Sequence, residues 1–526
     1  MSKTKNTIFT IITAVIVPLL FFALLEGALS VLDVGNDYRF FHTVTIDDDT
    51  FYQENPRFAD QFYPPSLNVG PLQNTFSATS GDERLRVYVL GGSAAMGFPH
   101  KNHGFDRLLA TQLKALFPDR DVEVINTAMT SVNSHVVYEV ARTLPANSAD
   151  VAVVLMGNNE VVGPYGPGTF NQNFLSSIHA IRVLQALKRT RLWQLVDQTL
   201  AQLSASDAKA DLEWQGMQMF VDHGVAETDP RMAAVYQHFE TNLSDIIELL
   251  TDKGMHVVVS TVPVNLRHSA PFLSMPTATL SEEEQHDAAE LREQAHGYAL
   301  EQQWAKAQAL WEQAIELDPS YADAHFQLAT SLENQGNYHR AQQHYERALN
   351  LDGLRFRADT QINAIIERVA NAYTGQQVQL VDSAQAFQNE SAPYSPGWNL
   401  LIEHVHYDFD GHALLAQTFA RAVARHTSGS EPSALLSNQA IAKQIGYPNH
   451  ETIANIKKMR AMADQPPFPG QSNYSDYLAI LDSALSRATD AVGSPRDVFK
   501  RRQAVLAEGA GDWKLHFEMA ALARYL

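Results

Sequence analysis

The chain has 526 residues, no cysteine and a formal net charge of −20. This length corresponds to about three or four domains, and a hydrophobic fraction of 45% allows large buried cores. The acidic balance argues against a general nucleic-acid binder, because phosphate binding needs clustered lysine and arginine. The absence of cysteine excludes disulfides, a thiol nucleophile and thiolate metal sites.

Residues 1–33 predict a single membrane anchor. Residues 8–25 form an uncharged apolar run that follows Lys3 and Lys5, and about 20 apolar helical residues span a bilayer. The positive-inside rule then places the N-terminus in the cytoplasm and the bulk of the chain outside, which is the periplasm in a Gram-negative cell. A cleaved signal peptide is the alternative interpretation, although no A-x-A cleavage site follows the run.

Strands and helices alternate from residue 83 onward, after an ordered but irregular connector that we expect over residues 34–82. Short strands that are apolar on both sides and separated by helices indicate a parallel sheet covered on both faces, in a three-layer α/β/α fold. Ligands of such sheets bind beyond the carboxyl ends of the strands. The predicted strands are residues 84–91, 121–126, 150–157, 256–264 and 377–384.

The residues at these strand ends carry the groups needed for nucleophilic acyl transfer. Such a site combines a serine, a base, a carboxylate that orients the base, and donors for an oxyanion. The candidates are Ser93 after the first strand, Ser131 beyond the second, Asn159 and Glu160 after the third, and Glu403 and His406 near the end of the fold.

These blocks resemble those of the SGNH hydrolases, the GDSL esterase/lipase superfamily. Gly91-Gly92-Ser93 is similar to the G-D-S turn, residues 157–160 to the G-x-N-D block, and residues 403–406 to the D-x-x-H block. More narrowly, the chain resembles membrane-anchored bacterial SGNH proteins that carry tetratricopeptide repeats. The resemblance implies a flavodoxin-like fold and an acyl-ester substrate, such as an O-acetyl group on a glycan, that is hydrolysed or transferred.

The resemblance also implies a role for each site residue. Ser93 would be the nucleophile, His406 the base, and Glu403 the orienting carboxylate in place of the family's aspartate. The backbone N–H groups of Ser93 and Ser131 would form the oxyanion hole with the Asn159 side chain. No metal and no cofactor are implied. Two further residues, Glu160 and Arg267, are candidates for substrate contact.

Other interpretations of the same residues stay open. His404 and His406 lie near several carboxylates and are compatible with a metal cluster, although no H-E-x-x-H motif is present. Asn159 could simply cap a helix. Because Ser131 and Glu403 depart from the family's glycine and aspartate, a weakly active or inactive membrane scaffold for protein–protein interaction is the alternative function.

A repeat with a period of 34 residues interrupts the predicted hydrolase domain and divides it into residues 83–282 and 354–427. The repeat spans residues 283–353 and resembles the tetratricopeptide repeat, so we expect it to recruit a protein partner. A helical insertion is expected at about 165–250, and residues 428–526 predict a helical C-terminal region. The matching positions are Tyr298, Ala307, Trp311, Ala314 and Pro319, followed by Leu332, Ala341, Tyr345, Ala348 and Gly353.

Overall fold

The first α-helix in the described part of the chain is apolar and mostly exposed. The computed structural model describes residues 12–67, 69–79, 81, 83–170, 174–203, 214–373, 375, 377–509 and 511–526. A π-helix (Ile12–Ile16) leads into helix α1 (Val17–Val31). None of the helices within these described ranges has both the length and the apolar character needed to cross a bilayer. Part of the predicted anchor, residues 1–11, lies outside the described residues.

The connector contains regular structure that the sequence did not predict. It forms an antiparallel sheet of β1 (Phe41–Ile46), β2 (Asp49–Glu54) and β3 (Thr75–Ser77). Asp47 and Asp48 make the turn between β1 and β2, both with positive φ (50° and 68°). Two-residue turns of this kind are usually recognised in a sequence by Asn-Gly or Asp-Gly, and Asp-Asp is not such a signal. The expectation of an irregular connector is therefore wrong.

Five parallel strands form the central sheet, in the order β5-β4-β6-β7-β8. This is the flavodoxin-like strand order, which reverses direction between β4 and β6. The parallel sheet predicted from the apolar runs is confirmed, with the third, fourth and fifth strands shorter than expected. The strands are β4 (Arg84–Gly91), β5 (Asp121–Asn126), β6 (Val151–Leu155), β7 (His256–Ser260) and β8 (Val378–Val381).

Helices occupy both faces of this sheet and fill the regions between and after the strands. Between β4 and β7 they are α2 (Ser93–Met96), α3 (Phe105–Leu116), α4 (Ser134–Thr143), α5 (Ile178–Lys188), α6 (Arg191–Leu203) and α7 (Arg231–Asp252). After β7 come α8 (Glu282–Leu300), α9 (Trp304–Leu317), α10 (Ala322–Asn334), α11 (Tyr338–Leu351) and α12 (Thr360–Ala372). After β8 come α13 (Ser383–Ser391), α14 (Phe409–Ser428), α15 (Asn438–Ile445), α16 (His450–Ala463), α17 (Tyr474–Val492), α18 (Pro495–Ala507) and α19 (Trp513–Ala523).

The sheet is the middle of three layers. Helices α3 and α14 pack together on one face, and α4, α7 and α12 pack on the other. Helix α7 lies within the predicted insertion at 165–250 but contacts β7 and buries Phe239, Leu243 and Ile247. It is the crossover helix that parallel strands require. The insertion is therefore shorter than expected: it includes α5, α6 and a 3-10 turn at Gly216–Phe220, with residues 204–213 outside the described part.

A carboxylate of α1 is hydrogen-bonded to the start of α6 in the insertion. The Glu26 side chain accepts hydrogen bonds from the backbone N–H groups of Arg191 (2.7 Å) and Leu192 (3.0 Å), at the start of α6. The first N–H groups of a helix lack intrahelical partners, so an acceptor there satisfies them. Helix α1 is thereby fixed to the body of the protein at one end.

Helices α8–α11 form two antiparallel pairs with small residues at their crossings. Ala307, Ala324 and Ala329 are fully buried, and Trp311 and Tyr345 fill the space between the helices. This arrangement is what a repeat of 34 residues predicts, because each helix pair buries its apolar face only against its neighbours. The C-terminal region contacts the same unit, since Ser472 donates a hydrogen bond to Asp323.

Candidate active site

Seven short stretches of the chain line a cavity of about 290 Å³. Ser93 and Asn159 follow β4 and β6, the two strands between which the strand order reverses, and ligand sites of parallel sheets lie at such points. The wall is largely apolar, with Val162, Phe220 and Phe356 among its residues. The stretches are residues 93–101, 130–131, 159–162, 214–220, 356, 404–406 and 458–462.

Ser93 stands at a turn that only glycine can make. A Cβ atom on Gly91 would lie 2.1 Å from the Leu155 carbonyl oxygen, so no side chain fits between β4 and β6 at this point. Gly92 caps the short helix α2, and Ser93 is its first residue. Gly97, with φ of 86°, ends the helix after one turn. This local geometry places the Ser93 side chain in the cavity.

His406 joins Ser93 to Glu403. The Nε2 atom of His406 lies 2.8 Å from Ser93 Oγ, and its Nδ1 atom contacts Glu403 Oε1. A nitrogen that faces a carboxylate carries the proton, so Nε2 is the acceptor and the Ser93 hydroxyl is the donor. The structure thus brings together the three residues expected to form a triad.

The Glu403 carboxylate organises the loop that carries His406. It accepts hydrogen bonds from the backbone N–H groups of His404 (2.6 Å) and His406 (2.9 Å). Its Oε2 atom also contacts the Nδ1 atom of His404. One buried carboxylate therefore accepts from three donors, which are two backbone N–H groups and the Nδ1 atom of His406.

Asn265 supports this loop and was not found from the sequence. Its side-chain amide donates to the Glu403 carbonyl (3.0 Å), and its backbone N–H donates to the His404 carbonyl (3.0 Å). Asn265 is completely buried. The available signal was its place just beyond the fourth strand, where a polar residue ends an apolar run.

Burial sets the protonation state of the site. It lowers the pKa of His406 from 6.5 to about 3 and moves the pKa of His404 well below that ordinary value. Desolvation disfavours a charged group, so both imidazoles are neutral at neutral pH. A neutral His406 has the free lone pair that a general base needs.

Three candidate donors for an oxyanion belong to residues that line the cavity. Ser131 and Asn159 line it and have left-handed backbones, with φ of 59° and 65°. Ser131 thus has the backbone conformation typical of glycine, and its carbonyl accepts a hydrogen bond from the Tyr63 hydroxyl of the connector. Within the described part of the chain, neither the backbone N–H groups of Ser93 and Ser131 nor the Asn159 side chain donates to a protein acceptor.

Glu160 and Arg267 lie elsewhere, so the expectation that they contact substrate is corrected. The Glu160 carboxylate is buried and accepts from the backbone N–H (2.8 Å) and hydroxyl (2.7 Å) of Ser134, where it satisfies the start of α4. Burial raises the pKa of Glu160 to about 7. Arg267 forms an ion pair with Glu333 of α10 and therefore fixes the repeats to the body. Neither residue lines the cavity.

Two aspartates close to His406 in sequence, Asp408 and Asp410, have hydrogen-bond partners of their own. Asp408 is buried and accepts from the backbone N–H of Gly411 (2.8 Å), at the start of α14. Asp410 accepts from the Asn438 side chain (2.8 Å). Among the residues that the structure describes, no three histidine, aspartate or glutamate side chains are arranged to hold a metal ion.

Comparisons with known proteins give distant likenesses in structure. The α/β-hydrolase enzyme LAE5 from the metagenome of Lake Arreo, Spain, shares 12% identity at a TM-score of 0.28, covering 65% of this chain and 95% of LAE5. A variant acetyl xylan esterase from Geobacillus stearothermophilus shares 11% (TM-score 0.28; 64% of this chain, 94% of the esterase). The acetyl xylan esterase AlAXEase shares 12% (TM-score 0.29; 64% of this chain, 100% of the esterase). At this level of similarity, the activities of these proteins do not transfer to the chain.

In sequence, the clear match lies in the repeats. A search of the curated proteins finds no significant match. The family model of the tetratricopeptide repeat matches residues 310–343, which run from α9 into α11. This match falls inside the unit predicted at 283–353 from the period of 34. The inserted helical unit therefore contains a tetratricopeptide repeat.

Proposed function

We propose that the chain is a serine hydrolase of the SGNH type that cleaves or transfers an acyl ester. The observation that carries this proposal is the 2.8 Å contact between Ser93 Oγ and His406 Nε2, with Glu403 at the other nitrogen of the ring. A hydroxyl, a base and a carboxylate that orients the base form the constellation used for acyl transfer on several unrelated folds.

The reaction begins when His406 Nε2 takes the hydroxyl proton as Ser93 Oγ attacks the ester carbonyl carbon. The carbonyl oxygen becomes an oxyanion, which accepts hydrogen bonds from the backbone N–H groups of Ser93 and Ser131 and from the Asn159 side chain. Glu403 stabilises the imidazolium that has formed. Collapse breaks the bond to the alcohol, and His406 returns the proton to the leaving oxygen.

The second half of the reaction releases the acyl group from Ser93. His406 removes a proton from water, or from the hydroxyl of an acceptor, as that oxygen attacks the acyl-enzyme carbonyl. The tetrahedral intermediate collapses, Ser93 leaves as an alkoxide and recovers its proton from His406. Water yields hydrolysis and a sugar hydroxyl yields transfer, so an O-acetylated glycan is a substrate of the expected class for either outcome.

We further propose that the protein is anchored by its N-terminus in a membrane, with the body outside the cytoplasm. Support comes from α1, where Leu19, Leu20, Phe21 and Leu24 are 59–73% exposed. Large apolar side chains on an exposed helix require an apolar partner. The tetratricopeptide repeat supports binding of a protein partner, since such repeats present extended surfaces.

Labelling with a fluorophosphonate probe tests the proposal on the full chain in detergent. Wild type should be labelled and should hydrolyse simple acyl esters, and Ser93→Ala should lose both properties. Ser430→Ala, at an exposed serine outside the cavity, is the matched control and should keep both. Unchanged hydrolysis in Ser93→Ala would overturn the mechanism, and absent labelling of wild type would favour the scaffold interpretation.

A further inference from the structure

The mouth of the cavity has a positive charge. Lys101 and Lys458 belong to its lining, and no aspartate or glutamate does. Lys101 follows the helix of the nucleophile, and Lys458 lies on α16 of the C-terminal region. The whole chain has a net charge of −20. The cavity lining, with two lysines and no carboxylate, therefore has the opposite sign of charge from the protein as a whole.

Neither lysine has a carboxylate partner. In the described ranges of the chain, no ion pair within 4.0 Å involves Lys101 or Lys458, and no hydrogen bond from either ammonium is present. The ammonium of Lys458 lies 5.0 Å from the centroid of the Phe98 ring, and that centroid lies 4.7 Å from the centroid of the His406 ring. One aromatic ring thus separates this charge from the base.

The two ammonium groups also act on one another. Partial burial lowers the pKa of Lys101 first, and the charge of Lys458 lowers it further. Two like charges held near each other repel, and an anion placed between them would remove that repulsion. Since the rest of the lining is largely apolar, these ammonium groups are the positive charges that a ligand in the cavity meets.

We infer that the substrate of this site is an acyl ester that also carries an anionic group, a carboxylate or a phosphate, held by Lys101 and Lys458. The inference rests on the proposed function, because it concerns the same cavity. The ester lies against Ser93, uncharged parts of the substrate fill the apolar wall, and the anion remains at the wetter mouth. Both lysines are exposed there, so they bind the charge without complete desolvation.

The test uses shape-matched esters and the full chain in detergent. The neutral ester is para-carbamoylphenyl butyrate, and its anionic counterpart is para-carboxyphenyl butyrate. A para-phosphorylated phenyl butyrate distinguishes phosphate from carboxylate, and an adipate monoester of para-hydroxybenzamide places the carboxylate on the acyl side. Wild type should turn over at least one anionic ester with a higher kcat/KM than the neutral one, and added salt should weaken that preference.

Lys101→Gln and Lys458→Gln should each lower the ratio of anionic to neutral kcat/KM by about 1.4- to 5-fold, the range of an exposed charge pair. The control is Lys457→Gln, which removes an exposed lysine from the same helix outside the cavity lining. This control should leave the ratio unchanged. Equal kcat/KM for all esters, or an equal fall of the ratio in Lys457→Gln, would overturn the inference. Hydrolysis of the neutral ester would still support the proposed function in that case. Failure to hydrolyse any ester, together with absent fluorophosphonate labelling, would overturn the proposed function itself.

Discussion

Removal of the Glu403 carboxylate should damage both the chemistry and the fold. In Glu403→Ala, the backbone N–H groups of His404 and His406 lose the acceptor that they now meet at 2.6 and 2.9 Å. A buried donor left without a partner costs about 1–3 kcal/mol, so two such donors predict a loss of about 2–6 kcal/mol in the free energy of unfolding. His406 also loses its orienting partner, for which a fall in kcat of about 10⁴ is the known order of magnitude.

Glu403→Gln separates these two effects, because it keeps one acceptor oxygen but no negative charge. We expect it to be destabilised less than Glu403→Ala and to remain nearly as inactive. Urea unfolding followed by circular dichroism measures stability, and ester hydrolysis with fluorophosphonate labelling measures activity. Glu390→Gln, at an exposed glutamate of α13, is the control. Activity of Glu403→Ala within ten-fold of wild type, or an unchanged unfolding midpoint, would refute this account of the loop.

Three further predictions concern the same site. Asn159→Gly removes the side-chain donor yet tolerates the φ of 65°, so kcat should fall by about 10²- to 10³-fold without loss of stability; an effect below five-fold would remove Asn159 from the oxyanion hole. Because burial lowers the pKa of His406 to about 3, and the base must be neutral, kcat/KM should stay level as the pH falls to about 5; a half-maximal value at pH 6.5 would contradict this protonation state. Asn265→Ala frees the Glu403 carbonyl from its hydrogen bond, and it should slow fluorophosphonate labelling by about ten-fold with little change in KM; unchanged labelling would show that the loop holds its position without Asn265.

The sheet and the strand-end residues could be predicted from the sequence for a physical reason. Strands buried on both faces appear as apolar runs, and β6, for example, is buried at all five positions. The carboxyl ends of parallel strands meet at one edge, so the sequence predicts that Ser93 and Asn159 lie at the same site, and both line the cavity. The repeats could also be predicted, because their period of 34 residues is a spacing within one continuous stretch of the chain.

The remaining features depend on contacts between distant stretches. Trp214 and Phe220 from the insertion and Met462 from the C-terminal region line the cavity, but nothing local to them signals that position. Arg267 follows β7, but it forms an ion pair with Glu333 of the repeats. Glu160 follows the third strand, as expected, but turns to the buried start of α4. The direction of a side chain at a strand end depends on its hydrogen-bond and ion-pair partners. Those partners lie far away in the sequence, so the local pattern does not predict the direction.

The distance in sequence between Ser93 and His406, 313 residues, has a consequence for synthesis. Ribosomes add about 5–20 residues per second, so the base emerges roughly 15–60 s after the nucleophile. Throughout that interval the nascent chain carries an ordinary alcohol at residue 93, and the insertion, the repeats and β8 must be made before a base can reach it. For a hydrolase of the proposed kind, chains cut short by stalled translation would therefore be inert, and reactivity would arise only once the second part of the sheet had joined the first.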